Sequence, residues 1–175
     1  MFRQILVATD LTRVSRPALE RADTLAREER AHLHILHVAR DPAREPWVVE
    51  AYGNDWERLR AEACGKGHRA LVAATRRLGR DARTTTLVAR VGEAADEILT
   101  YARRQAVDLI VIGTHGRGRL AATLLGSVAD KVVRGAGCPV MIVRSPSPRR
   151  SNTVAGKRRD PRERAYGDRA AGGLL

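Results

Sequence analysis

The chain has 175 residues, 43% apolar and 30% charged, which is room for one ordinary core and the composition of a globular protein. Its longest apolar runs fall far short of the roughly 20 residues that a bilayer helix needs. The start, Met-Phe-Arg-Gln, lacks a signal-peptide layout, and Cys64 and Cys138 are too few for a disulfide framework or a CxxC metal knuckle. Membrane and structural-zinc readings drop out, the cytosol is the expected compartment, and both cysteines are expected to be small buried hydrophobes.

The first element is a strand over residues 3–9, a short apolar run ending at Asp10 and suited to burial on both faces of a parallel sheet. Pro17 fits a first helical turn, and Ala18, Leu19, Ala22, Leu25 and Ala26 recur at helical spacing. Residues 32–39 read as the second strand, closed by Asp41-Pro42. Residues 40–55 hold two prolines and no clean period, so a loop is expected there, placed to cover a cleft. A long helix carries Leu59, Ala63, Ala70, Leu71, Ala74 and Leu78 inward, with Gly65 and Gly67 each weakening it by about 1 kcal/mol relative to alanine.

The third strand is expected at 84–90, followed by a helix with Ala95, Ile98, Leu99 and Ala102 inward, then a fourth strand at 108–113. A glycine-rich connection over 114–126 leads to a helix from Ser127 to Arg134 and a fifth strand at 139–143. Five strands alternating with four helices predict a doubly wound α/β fold with a five-stranded parallel sheet, Rossmann-like, in the order 3-2-1-4-5. Its ligand cleft belongs beyond the carboxyl ends of strands one and four, where the chain places Asp10 and Gly113. The domain is expected to span residues 1–144. Residues 145–175, with eight basic and three acidic side chains, read as a disordered tail that carries much of the net charge of +12.

The stretch Gly113-Thr-His-Gly116 to Gly126-Ser127 follows a strand and precedes a helix, with nine residues between Gly116 and Gly126. Glycines admit a ligand close to backbone, and amides at a helix start attract phosphate oxygens. A plain loop with Ser127 as helix cap accounts for the same residues. Two familiar phosphate motifs fail: the position after Gly118 is Arg119-Leu120 rather than Lys-Ser/Thr, and the first strand-to-helix turn, Asp10-Leu-Thr, has no glycine.

These residues, with Ile5-Leu-Val-Ala-Thr-Asp10, Asp108-Leu-Ile-Val-Ile-Gly113, Leu125-Gly-Ser-Val-Ala129 and Cys138-Pro-Val-Met-Ile-Val-Arg144, resemble the ATP-binding branch of the universal stress proteins over roughly residues 2–144. The resemblance implies an adenine nucleotide alpha hydrolase-like fold and an ATP site, with ADP or another adenylate as alternatives and magnesium accompanying the phosphates. By the same resemblance Ala8, Thr9 and Asp10 face the base and ribose, and Val38 lies beside the adenine. Ile112 and Gly113 line the ribose, His115 and Gly116 the path to the phosphates, and Gly126, Ser127 and Val128 hold the phosphates. Position 8 departs from the family, which often has proline there. A homodimer through residues 139–143 is implied as well.

Other residues read more plainly. Alternation puts His32 and His34 on one strand face and His37 on the other, so they cannot converge on a metal. His115 has no evident partner for general-base work. The pairs Arg76-Arg77 and Arg103-Arg104 read as solvated helix faces. Three functions are carried forward: a nucleotide-responsive stress or signalling regulator without dedicated catalysis; a slow nucleotide hydrolase; and a nucleotide-free protein whose basic tail contacts nucleic acid or acidic partners. Nucleic acid is the least expected, because aromatics are 3% of the chain and no base-reading module is present.

Overall fold

The computed structural model describes residues 1–44, 46–52, 55–114 and 125–144. Five strands, β1 (Gln4–Ala8), β2 (His32–Ala39), β3 (Thr85–Val91), β4 (Leu109–Gly113) and β5 (Val140–Val143), form one sheet in the order β3-β2-β1-β4-β5. Every pairing is parallel, with Ile5 opposite Leu33 on one side and Leu109 on the other. The predicted order is therefore observed, and the chain reverses direction across the sheet between β1 and β4.

The described residues form five α-helices, α1 (Arg16–Glu28), α2 (Pro46–Tyr52), α3 (Trp56–Thr75), α4 (Ala94–Arg104) and α5 (Ser127–Gly135), of which α1, α3, α4 and α5 pack on the sheet and α2 on α3. Alternation along β1 sorts its side chains between two cores. Ile5 and Val7 pack with Leu33, Ile35, Leu71 and the small α1 residues Ala18, Ala22 and Ala26. Leu6 and Ala8 pack with Leu36, Ile98, Ile112 and Val132 under α4 and α5. Ile5, Leu6 and Val7 are fully enclosed, which is why β1 is an unbroken apolar run.

The described part of residues 40–55 is not the loop expected from its lack of period. A 3₁₀ turn (Pro42–Arg44) opens where the Asp41 carboxylate accepts the Ala43 amide at 3.1 Å, and the seven-residue α2 follows. Two turns that are apolar at nearly every position, with Val48 buried, are too short and too uniform to register as helical spacing. In α3 the helix runs unbroken through both glycines. Gly67 is buried, and a Cβ there would lie 3.0 Å from His37 Cδ2, so this glycine lets α3 lie close on β2. At the other end of the sheet, the Asp108 carboxylate accepts the amides of Arg3 at 2.7 Å and Gln4 at 3.1 Å, tying the start of β4 to the start of β1. All these elements belong to one unit, Met1–Ser145. The expected tail over residues 145–175 lies outside the described residues.

Candidate functional site

The parallel topology brings the carboxyl ends of β1, β2 and β4 together with the amino ends of α4 and α5. Between them opens a cleft of about 240 Å³. Nine residues singled out in the sequence line it: Ala8, Thr9, Asp10, Val38, Ile112, Gly113, Gly126, Ser127 and Val128. The other two, His115 and Gly116, lie outside the described residues. Ser15, Leu36, Ala94, Ile98, Thr114 and Ala129 also contribute to the wall, and the sequence reading missed them. Leu36 was within reach, since it alternates with Val38 on one face of β2. Ile98 was not, because its place depends on how α4 crosses the sheet.

One end of the cleft is set by a polar turn. Asp10 Oδ1 accepts both the Thr12 amide at 3.0 Å and the Thr12 hydroxyl at 2.7 Å. The hydroxyls of Thr9 and Ser15 lie 2.9 Å apart, and Thr9 Oγ1 also accepts the Leu11 amide at 3.1 Å. Leu11 occupies the left-handed region, with φ of 62°, where a residue with a Cβ is strained. From beneath, the buried His37 Nδ1 lies 2.9 Å from the Thr9 carbonyl oxygen and donates to it. Asp10 thus holds a fixed direction at the mouth of an apolar slot formed by Ala8, Leu36, Val38, Ile98 and Ile112.

The opposite end is the start of α5. The Gly126 amide donates to the Thr114 carbonyl at 2.7 Å, which pins together the two flanks of the glycine-rich segment. Gly126 caps the helix with extended backbone, so Ser127 is its first helical residue and not the cap considered above. The first bond of the helix runs from the Asp130 amide to the Gly126 carbonyl. The amides of Ser127, Val128 and Ala129 therefore have no acceptor within the helix and point toward the cleft end. Nearby, Glu93 pairs with Arg44 at 2.9 Å and Lys131 at 3.6 Å.

An apolar slot, an oriented carboxylate at one end and helix-start amides at the other form a donor set that matches an adenosine followed by phosphates. No group of three metal-ligating side chains occurs among the described residues. The histidines separate as alternation requires. His34 is buried between Tyr101 Oη at 2.8 Å and Gln4 Oε1 at 2.9 Å, while His32 lies 2.7 Å from the Thr86 hydroxyl. Burial, with a smaller effect from His32, lowers the His34 pKa to about 4. Cys64 and Cys138 are half-buried and not enclosed as expected: Cys64 Sγ donates to the Ala89 carbonyl, and burial together with Asp108 pushes the Cys138 thiol up.

Comparison with known proteins agrees with this geometry. The family model of the universal stress protein family matches residues 1–144. The universal stress protein YxiE of Bacillus subtilis is 35% identical over 148 residues, covering 82% of this chain and 100% of that one. Universal stress protein MJ0531 of Methanocaldococcus jannaschii is 32% identical, covering 83% and 84%. Among solved structures, protein MJ0577 of the same archaeon matches with a TM-score of 0.66 at 28% identity, over 84% of this chain and 99% of that one. A universal stress protein in complex with cAMP matches with a TM-score of 0.58 at 26% identity, over 82% and 97%. The chain belongs to the universal stress protein family.

Proposed function

We propose that this protein is a cytosolic, nucleotide-responsive regulator that binds ATP or a related adenylate in the cleft between β1 and β4, without dedicated catalysis. The observation that carries the reading is the convergence of nine sequence-selected residues on one cleft, with Asp10 at one end and the α5 amides at the other. The relative solved with cAMP supports an adenine nucleotide as the ligand class. Phosphoryl transfer needs metal-held phosphates and a positioned nucleophile, and the described lining supplies amides and hydroxyls with Asp10 as its only carboxylate. No described helix is long and apolar enough to cross a membrane.

The test is to denature the purified protein, identify released nucleotide by mass, and titrate the stripped protein with ATP by calorimetry. Adenylate near one per chain, or micromolar rebinding lost in the Gly113→Ala, Gly126→Ala double variant, supports the site. Unchanged binding by that variant would place the nucleotide elsewhere. Multiple turnover of ATP abolished by Asp10→Ala would make the protein an enzyme.

A homodimer through β5 completes the reading. This outermost strand pairs only with β4, and Ile142 on it is 40% exposed, so an apolar edge is left open to strand addition. Light scattering on the full chain should give twice the monomer mass, and Ile142→Lys should return the monomer.

A further inference from the structure

In a doubly wound fold every major helix ends where the strands begin, and here that end collects arginines. Arg76 and Arg77 follow α3, and Arg103 and Arg104 close α4. Arg3, Arg30 and Arg83 lie in the segments leading into β1, β2 and β3. All seven are exposed, and none makes an ion pair with a described residue. Their segments are neighbours: the His32 amide bonds the Arg3 carbonyl, the Leu33 amide bonds Thr84, and the Asp108 amide bonds Gln4. Arg3, Arg30 and Arg83 cross three adjacent strands, about 10 Å, and the two helix-end pairs flank them on opposite faces of the sheet, α3 on the Leu71 side and α4 on the Ile98 side.

The carboxylates at this end are mostly turned to the protein. Glu29 accepts the Phe2 amide, Asp81 the Arg83 amide, and Asp108 the amides of Arg3 and Gln4. Asp23 is held by Arg80 and Arg27. At the cleft end Arg16, Arg44, Arg58, Arg60 and Lys131 are each paired with a carboxylate, while Arg13, Arg90 and Arg144 are exposed without a described ion pair. Arginines in a last helical turn complement the helix dipole, but that does not account for Arg3, Arg30 and Arg83, which lie outside the helices.

We infer that this end of the domain is a binding surface for the phosphate backbone of nucleic acid, read without regard to sequence. Guanidinium groups bind phosphate oxygens in bidentate fashion, and the row holds arginine only. The three strand-entry arginines, over about 10 Å, match some three phosphates at 3.4 Å of rise along one strand. The aromatic side chains beside it, Phe2 and Tyr101, are packed inward, so no platform for stacking bases is presented. The pairs Arg76-Arg77 and Arg103-Arg104, expected from the sequence to be separate solvated faces, are thereby parts of one surface.

The experiment measures binding of the full chain to a fluorescent duplex of roughly 20 base pairs at about 50 mM salt and over a salt series. Arg76→Glu with Arg77→Glu, and Arg103→Glu with Arg104→Glu, are each compared with Lys66→Glu and Arg69→Glu, an equal charge reversal on the exposed side of α3. Circular dichroism checks that each variant folds. The surface is supported if both arginine pairs lower affinity about tenfold or more and flatten the log K against log salt slope by about 2, while the control changes affinity less than about threefold. Equal losses in all three would mean attraction to net charge alone, and no loss would assign binding to another part of the chain; either overturns the inference. So would binding to polyglutamate or phosphatidylserine vesicles that is tighter than binding to the duplex.

Discussion

His34 should make the fold acid-sensitive well above the range in which carboxylates titrate. Gln4 Oε1 can only accept, so the His34 Nε2 carries the proton and Nδ1 accepts the Tyr101 hydroxyl. A second proton on Nδ1 would force the Tyr101 hydroxyl to turn from donor to acceptor and would place a charge in a site where His34 is 5% exposed and Tyr101 is 7% exposed. With a folded pKa of about 4 against 6.5 unfolded, the unfolded chain binds more protons between those values, so stability falls as pH drops through that window. The full shift corresponds to roughly 3 kcal/mol, of which about 2 kcal/mol is already lost by about pH 5. Urea unfolding between pH 7 and about pH 5 reads this directly. His34→Gln should be less stable at neutral pH, yet should lose about 2 kcal/mol less than the parent on acidification. Equal losses in parent and variant would show that His34 is not held neutral by its site.

Three substitutions test other joints of the fold. Asp108→Ala removes the acceptor for two amides across β1 and β4 and should lower stability by about 2 kcal/mol in thermal unfolding, with the cleft unchanged. Gly67→Val places a side chain against His37, which bonds the Thr9 carbonyl; it should destabilise by about 1–3 kcal/mol and weaken nucleotide binding measured by calorimetry. Arg80, only 7% exposed in its side chain, joins Asp23 to the Thr85 hydroxyl, so Arg80→Ala should lower stability by about 2–3 kcal/mol through the lost charged hydrogen bonds, with Arg27 still paired to Asp23, as read by urea unfolding.

The sheet was legible because burial on both faces writes itself as short apolar runs, and β2 falls on the residues 32–39 read from its pattern. The parts of the cleft on single segments were legible for a related reason: Asp10 and Gly113 end adjacent strands, and Gly126-Ser127 opens a helix. Ile98, Ala94 and Ser15 were not, because each reaches the cleft by the packing of its helix, which no local spacing records. The short α2 escaped because seven residues complete too few turns to show a period. Gly67 was misread in its consequence, since the propensity cost is local while the close approach to His37 is tertiary. The arginine row was hidden for the same reason, its members coming from five separate segments.

The two ends of the domain arise from one constraint, that parallel strands force the helices to run back antiparallel to them. Helix starts with free amides converge on the cleft, and helix ends with arginines converge on the opposite end. The separation is at least a five-residue strand, β1, or about 17 Å, roughly twice the screening length of about 8 Å at physiological ionic strength. A nucleotide bound at the cleft would therefore change the potential at the arginine row very little through space. Saturating ATP should leave the salt slope of duplex binding unchanged, because the number of phosphates neutralised at the row stays the same. If ATP alters affinity while the slope holds, the coupling runs through packing, and the continuous path is β1 itself, held by His37 at the Thr9 end and by Asp108 at the Arg3 end. A slope that fell with ATP would instead mean that the nucleotide's own charge competes for the same surface, and the two ends would not be separate sites.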